Sequence, residues 1–239
     1  MRIGKVTYNS TASDSLGIFV SGKGTYDAAD LDATSYEIPG RNGCVILSNH
    51  RYKNIDVKYP AFIPGSFESG VQAVRNWMRS AEGYAMITDN FDTTHYRMGV
   101  GKGVLSFSPV DQNIAANCQL VFNCKPQRFL TSGDTEQTLT TGAVLTNATP
   151  FPAKPLIRVV KPTASATITF TGSAGTFTLT ATGAYNGTLY IDCDTMNIYN
   201  GNTNLNSKFT GEFPVIGTSA TVTFSNVTSL HVKPRWWEL

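Results

Sequence analysis

Asp192 and Asp194 flank Cys193 in a segment, Thr188 to Cys193, that alternates as a strand does. Two residues apart on a strand, their carboxylates share a face with Cα atoms roughly 6–7 Å apart. Carboxylates at such spacing suit an acid–base pair in glycoside hydrolysis, or two oxygen ligands for Ca²⁺. Catalytic carboxylates usually come from different elements, however, and Ca²⁺ needs more oxygens than these two supply. The expected role is a polar strand end entering a turn. Asp27, Asp30 and Asp32 form a second acidic group. They lack the order and terminal Glu of an EF-hand and read as solvated. His50, His95 and His231 lie far apart with no His-x-x-x-His pair, and no Gly-x-Ser-x-Gly elbow occurs. Gly22-Lys23-Gly24 and Gly101-Lys102-Gly103 lack the rest of a phosphate loop.

Cys44, Cys118, Cys124 and Cys193 show no Cys-x-x-Cys spacing. Cys118 and Cys124 share parity, so on one continuous strand they face the same side roughly 20 Å apart, beyond disulfide reach. Buried free thiols are expected. The last residues, Lys233-Pro234-Arg235-Trp236-Trp237-Glu238-Leu239, offer the other recognisable chemistry. Adjacent strand residues face opposite ways, so one tryptophan can be buried while the other, beside Arg235, stacks on a sugar or a partner. Arg235, Trp236 and Trp237 are therefore candidate sugar or partner contacts. No catalytic, metal-binding or cofactor-binding residue is expected.

The elements that must hold these residues are mostly strands. Ile3 to Tyr8 and Leu16 to Val20 are apolar runs around a polar turn, Asn9 to Asp14. Thr34 to Ile38 and Cys44 to Leu47 flank Pro39-Gly40-Arg41-Asn42-Gly43, which reads as a hairpin with Asn-Gly supplying positive φ. Ile55 to Tyr59 alternates as a half-buried strand. One amphipathic helix is predicted over Phe67 to Ser80, with Val71, Val74 and Met78 on one side, Arg75 and Arg79 on the other, and Gly83 to stop it. Trp77 beside that stripe packs in a core or anchors an interface. Tyr84 to Thr88, Tyr96 to Gly99, Val104 to Ser108 and Gln119 to Cys124 read as further strands.

Beyond about Leu130 the residue usage changes. The first part, to Phe129, holds 13 of the 19 Lys and Arg and 11 of the 17 Asp and Glu, so charge thins out afterwards. Thr131 to Thr149 is weakly patterned and is expected to contain the connection between domains. Seven short strands then follow: Leu156 to Val160, Thr167 to Thr171, Thr176 to Thr180, Thr188 to Cys193, Met196 to Tyr199, Thr221 to Ser225 and Leu230 to Lys233. Gly and Asn-Gly turns separate them, Asn200-Gly201 closing a hairpin. The x-Thr-x-Thr pattern places β-branched residues on a solvent face. The fold class expected is mainly β: an N-terminal β-rich α+β domain with one helix, residues 1–132, followed by a C-terminal antiparallel β-sandwich, residues 133–239.

The chain has 239 residues, enough for two cores, and a net charge of only +2. Its scattered basic residues argue against a nucleic-acid site. No apolar run approaches the ~20 residues of a membrane span. The charged start, Met1-Arg2-Ile3-Gly4-Lys5-Val6, predicts synthesis in the cytoplasm.

The order of these pieces resembles the distal tail proteins (Dit) of long-tailed bacteriophages. The residues that carry the resemblance are Asp14-Ser15-Leu16-Gly17-Ile18, Pro39-Gly40-Arg41-Asn42-Gly43, the helix with Trp77-Met78 and Gly83, Asp92 to Tyr96-Arg97, and Phe122 to Phe129. Thr146-Asn147, Pro155-Leu156-Ile157, Tyr190-Ile191-Asp192-Cys193, Asn200-Gly201 and Gly211-Glu212-Phe213-Pro214 look like the galectin-like module that follows in these proteins. The resemblance implies a non-enzymatic virion protein at the distal end of the tail. Its first domain would form a homohexameric ring, in one copy or as paired rings, and its second would be a galectin-like platform. Partners implied are the tail tube protein, the tail-associated hub protein and receptor-binding or adsorption proteins, with no cofactor. A ring needs a heterologous interface that closes. The Tyr36 to Leu47 hairpin is a candidate for it, with Arg41 and Asn42 at the tip either reaching a neighbour or staying solvated. Two other functions are weighed: a carbohydrate-binding module for host cell-wall saccharide, and a cell-wall glycoside hydrolase using Asp192 and Asp194. His231-Val232-Lys233 does not reproduce the His-x-Asn-x-Arg run of sugar-binding galectins.

Overall fold

A computed structural model describes residues 4–23, 25–65, 67–103, 105–110 and 114–239. The chain separates into two compact units that divide between Arg128 and Phe129. Both are built from antiparallel strands, and one α-helix occurs among the described residues.

The strands of the first unit are β1 (Val6–Tyr8), β2 (Thr11–Ala12), β3 (Phe19–Val20), β4 (Leu31–Glu37), β5 (Cys44–Tyr52), β6 (Ile55–Ile63), β7 (Ala85–Asp89), β8 (His95–Gly101), β9 (Phe107–Val110) and β10 (Ala115–Leu130), with α1 at Phe67–Met78. The main sheet runs β2-β1-β7-β8-β10-β6-β3, and β9 also pairs with β10. Val57, Tyr59, Ala61 and Ile63 alternate inward on β6, opposite Ala116, Cys118, Leu120, Phe122 and Cys124 on β10. Val71, Val74, Trp77 and Met78 of α1 join the same cluster, so the apolar stripe of the helix lies on the sheet. The helix ends at Met78, and its last turn closes through Arg79 N–H to Asn76 O and Ser80 N–H to Trp77 O (3.2 and 3.0 Å). This tight i→i−3 closure, rather than Gly83, terminates it. A Cβ on Gly101 would lie 2.2 Å from Met78 O, so glycine lets β8 pass directly under the end of α1.

Among the described residues β4 and β5 pair only with each other. Ser35 stands opposite Ile46, Tyr36 opposite Val45 and Thr34 opposite Leu47, and the register shifts near Leu31. At the tip Gly40 and Gly43 take φ of 80° and 81°, whereas Asn42 does not enter the left-handed region. The expected polar turn at Asn9 to Asp14 instead holds β2 and a 3₁₀ turn, Ser13–Leu16. The strand foreseen from Val104 begins at Phe107, and its first residue, like Ile3 of the first strand, lies outside the described residues.

The second unit contains β11 (Gln137–Leu139), β12 (Ala143–Thr146), β13 (Leu156–Val160), β14 (Thr167–Gly172), β15 (Gly175–Ala181), β16 (Thr188–Asp192), β17 (Asn197–Asn200), β18 (Thr203–Asn204), β19 (Phe209–Gly211), β20 (Ser219–Ser225), β21 (Ser229–Lys233) and β22 (Trp237–Glu238). Six strands form one sheet, β11-β21-β13-β16-β17-β18, and five another, β12-β20-β14-β15-β19. Ile157, Val159, Leu189, Ile191, Leu230 and Val232 of the first sheet share one apolar cluster with Ile168, Phe170, Leu179 and Val222 of the second. The stretch from Thr131 to Thr149, read as a connector, supplies β11 and β12 to these sheets; each buries a single leucine, Leu139 or Leu145, too little for a periodic signal. In the β17–β18 hairpin Asn200 still pairs with Thr203, so the loop residues are Gly201 and Asn202.

Candidate functional site

Asp192 ends β16, where its carboxylate turns back on its own chain. Oδ1 accepts the backbone N–H of Asp194 at 3.0 Å and of Thr195 at 3.4 Å, an Asx turn. Arg235 then grips both oxygens, Nη1 to Oδ1 at 2.7 Å and Nη2 to Oδ2 at 3.3 Å. Burial pushes the carboxyl up, but the Arg235 fork and the backbone N–H groups outweigh it and hold the group below its usual range. Asp194 points to Lys154, 3.7 Å away. A general acid needs a raised pKa, which is the opposite of this environment. The two carboxylates therefore close a turn and hold two cations.

Arg235 has φ of 58° and is followed by Trp236, which is buried in the core of the second unit. Trp237 stacks on Phe151 with ring centroids 4.4 Å apart and donates Nε1–H to Pro152 O at 2.9 Å. One indole is thus buried and the other covered on one face by a phenyl ring. Arg235 is committed to Asp192. These three residues fasten the end of the chain.

Trp77 is likewise a core residue, 4% exposed, donating Nε1–H to Tyr8 O at 3.2 Å and lying edge-on to Tyr8 and Phe122. Packing under the helix, rather than anchoring at the surface, is what its position provides. Arg41 and Asn42 stand exposed at the hairpin tip, and no partner engages either side chain among the described residues. Tyr36, Ile46 and Leu47 on the same hairpin are 54%, 63% and 56% exposed. Cross-strand register puts Thr34, Tyr36, Val45 and Leu47 on one face. A two-stranded ribbon is marginal alone in water, and this one also shows apolar side chains to solvent.

The cysteines are free; burial pushes the Cys118 and Cys124 thiols up to about 11 and about 12. No group of three or more metal-ligating side chains occurs among the described residues. Asp32 and Asp30, expected to be merely solvated, meet Arg51 at 2.6 Å and Lys53 at 3.8 Å.

Two polar groupings have no local signature in the sequence. In the first unit Asp92 accepts from Thr94 Oγ1 (2.7 Å) and Arg128 Nη2 (2.9 Å), with His95 Nδ1 at 3.0 Å and Lys23 Nζ at 3.7 Å. Burial would raise this carboxyl, but the bonds from Thr94, His95 and Arg128 hold it far below its usual range. The cluster locks the turn before β8 onto β10. In the second unit the outer face of the six-stranded sheet carries Arg158, Tyr190, Tyr199, His231 and Lys233, brought together from four strands. Asp92 lies in a polar turn, and for the second grouping the one hint was Arg158 among the apolar residues of β13.

No family model matches the chain, and no curated protein matches it. Among solved structures it is similar to the Dit protein of phage SPP1, described as a paradigm of hub adsorption apparatus in Gram-positive infecting phages. That match has a TM-score of 0.71 at 14% identity and covers 97% of this chain and 98% of that one. It is also similar to chains of the phage P2 baseplate in its activated conformation, with Ca and with Sr, each at TM-score 0.59, 10% identity and 97% coverage of both chains. At such identity the likeness is one of fold, and it extends over both units.

Proposed function

We propose that this chain is a distal tail protein of a long-tailed bacteriophage, a structural adaptor rather than an enzyme. The observation that carries the reading is the fold match to the SPP1 Dit protein, which covers 97% of this chain and so takes in both of its units. Six copies would form a ring at the distal end of the tail, single or paired. The ring would join the tail tube to the tail-associated hub and adsorption proteins. The first unit would supply the ring and the second, a galectin-like sandwich, the platform for those partners.

The hairpin β4–β5 supports the first assignment. A closing ring uses two different patches on each copy. A ribbon that pairs with nothing else among the described residues and exposes Tyr36 and Leu47 on one face is a ready donor patch, with Arg41 and Asn42 at its tip to meet polar or backbone groups of the neighbour. Burying that face would remove the apolar area it leaves in water.

Negative-stain images of the purified chain test the reading. Particles with a central hole and six-fold symmetry are expected. A uniform field of small, unassembled particles at high protein concentration would contradict it.

A further inference from the structure

Asn-Gly occurs three times in the chain, at Asn42-Gly43, Asn186-Gly187 and Asn200-Gly201. The pair is chemically labile, because glycine has no Cβ to keep its backbone nitrogen from the preceding side-chain amide. The fold holds the three pairs very differently. We propose that Asn42 is a site of spontaneous deamidation, a modification that rewrites the charge of the β4–β5 tip, while the other two asparagines are protected by their bonds. The assignment goes beyond the ring reading and does not depend on it.

Hydrogen bonding separates the three sites. The β4–β5 ladder ends at the Glu37–Cys44 pair, and one backbone bond crosses the tip beyond it, Arg41 N–H to Ile38 O at 3.1 Å. Asn42 and Gly43 are both exposed, and neither the Asn42 side chain nor the Gly43 N–H has a hydrogen-bond partner among the described residues. A Cβ built on Gly43 would meet nothing within 4 Å, so the space around the nitrogen is open. At the second pair the nucleophile is engaged: Gly187 N–H donates to Tyr185 O at 3.0 Å, and Gly187 O accepts from Lys161 N–H at 2.8 Å. At the third the electrophile is held, since half-buried Asn200 on β17 donates Nδ2–H to Thr188 O at 2.5 Å. A single hydrogen bond that must break first slows the step roughly five- to tenfold.

The chemistry needs only water and base. Hydroxide takes the proton from the Gly43 backbone nitrogen, which attacks Cγ of Asn42. The N–Cγ bond forms, the Cγ–Nδ2 bond breaks, and Nδ2 leaves with a proton as ammonia. Water then opens the five-membered imide at one of its two carbonyls. Opening at one side gives aspartate, and at the other isoaspartate, with no change of oxidation state.

Position makes the change consequential. Arg41 carries the only charge between Ile38 and Gly43. A carboxylate at the next residue cancels it, and the isoaspartate form also inserts a methylene into the main chain of the turn. Where the hairpin meets a ring neighbour, as the ring reading has it, that neighbour then faces a neutral tip in place of a cationic one.

Peptide mapping by mass spectrometry tests the assignment, after the full chain is held in mildly alkaline buffer at physiological temperature and digested in acid. The incubation uses dilute protein that light scattering shows to be single chains, so that assembly does not cover the tip. In the folded chain Asn42 should convert to the acid about tenfold faster than Asn186 and Asn200. In guanidinium chloride the three rates should converge, because the bonds that separate them are gone. Asn42→Gln, which would need a larger ring to cyclise, should remove the fast conversion and leave the two slow ones. Asn186 or Asn200 converting as fast as Asn42 in the folded chain overturns the proposal. So does an absence of conversion at Asn42, or a lead for Asn42 that persists unchanged in denaturant. The mapping reads the same whether or not a ring forms at higher concentration, so the two readings fail separately.

Discussion

Asp192 shows how the local signal of a catalytic-looking pair dissolves once the fold brings in a distant residue. The spacing of Asp192 and Asp194 was legible, and so was the turn after them; the Arg235 fork, 43 residues away, was not, because no local pattern encodes it. The fork gives a testable consequence. Because the folded carboxyl sits below its ordinary value of 3.8, the stability it contributes is complete above about pH 4 and is lost as pH falls through the lower folded value. Asp192→Asn should flatten the acid limb of second-unit unfolding and cost about 2 kcal/mol at neutral pH. Tryptophan fluorescence in a Trp77→Phe background reads that unit, since Trp236 and Trp237 both belong to it. An acid limb identical to that of the parent would refute the assignment. Trp77 offers the counterpart in the first unit. Trp77→Ala removes a buried indole and its bond to Tyr8 O, and should destabilise by about 3–5 kcal/mol in denaturant unfolding of that unit.

Among the elements, period and length decided what could be read. The seven strands expected after residue 155 are all present within a residue or two, because each alternates buried and open positions over four residues or more. β18, β19 and β22, at two or three residues, carry no period to detect, and β11 and β12 each bury one leucine. The outer row of the six-stranded sheet was hidden for another reason: its order, β11-β21-β13-β16, joins strands distant in sequence. The helix was legible from its stripe, but its end was misread, since a tight i→i−3 closure of its last turn rather than a glycine stops it. Gly101→Ala tests that packing. The added Cβ would press on Met78 O and should cost about 1–3 kcal/mol as α1 is pushed from the sheet, seen as a lower denaturant midpoint. The hairpin behaves oppositely. Leu47→Lys, on an exposed face, should leave the melting temperature of the isolated chain within a few degrees and abolish assembly. Loss of the melting transition itself would mean that β4–β5 belongs to the core of one copy.

For the whole molecule the central claim is that this fold, shared end to end with a phage distal tail protein, works as one member of a ring. The hydrolase reading has no acid–base pair to stand on once Asp192 and Asp194 are seen in their ion pairs. The ring claim meets its most direct test in the native mass of the purified protein, measured by light scattering over a range of concentrations. Six copies of a 25.9 kDa chain give about 155 kDa, and that mass, or twice it for paired rings, is the expected result. A mass that stays at a single chain at every concentration would contradict the account.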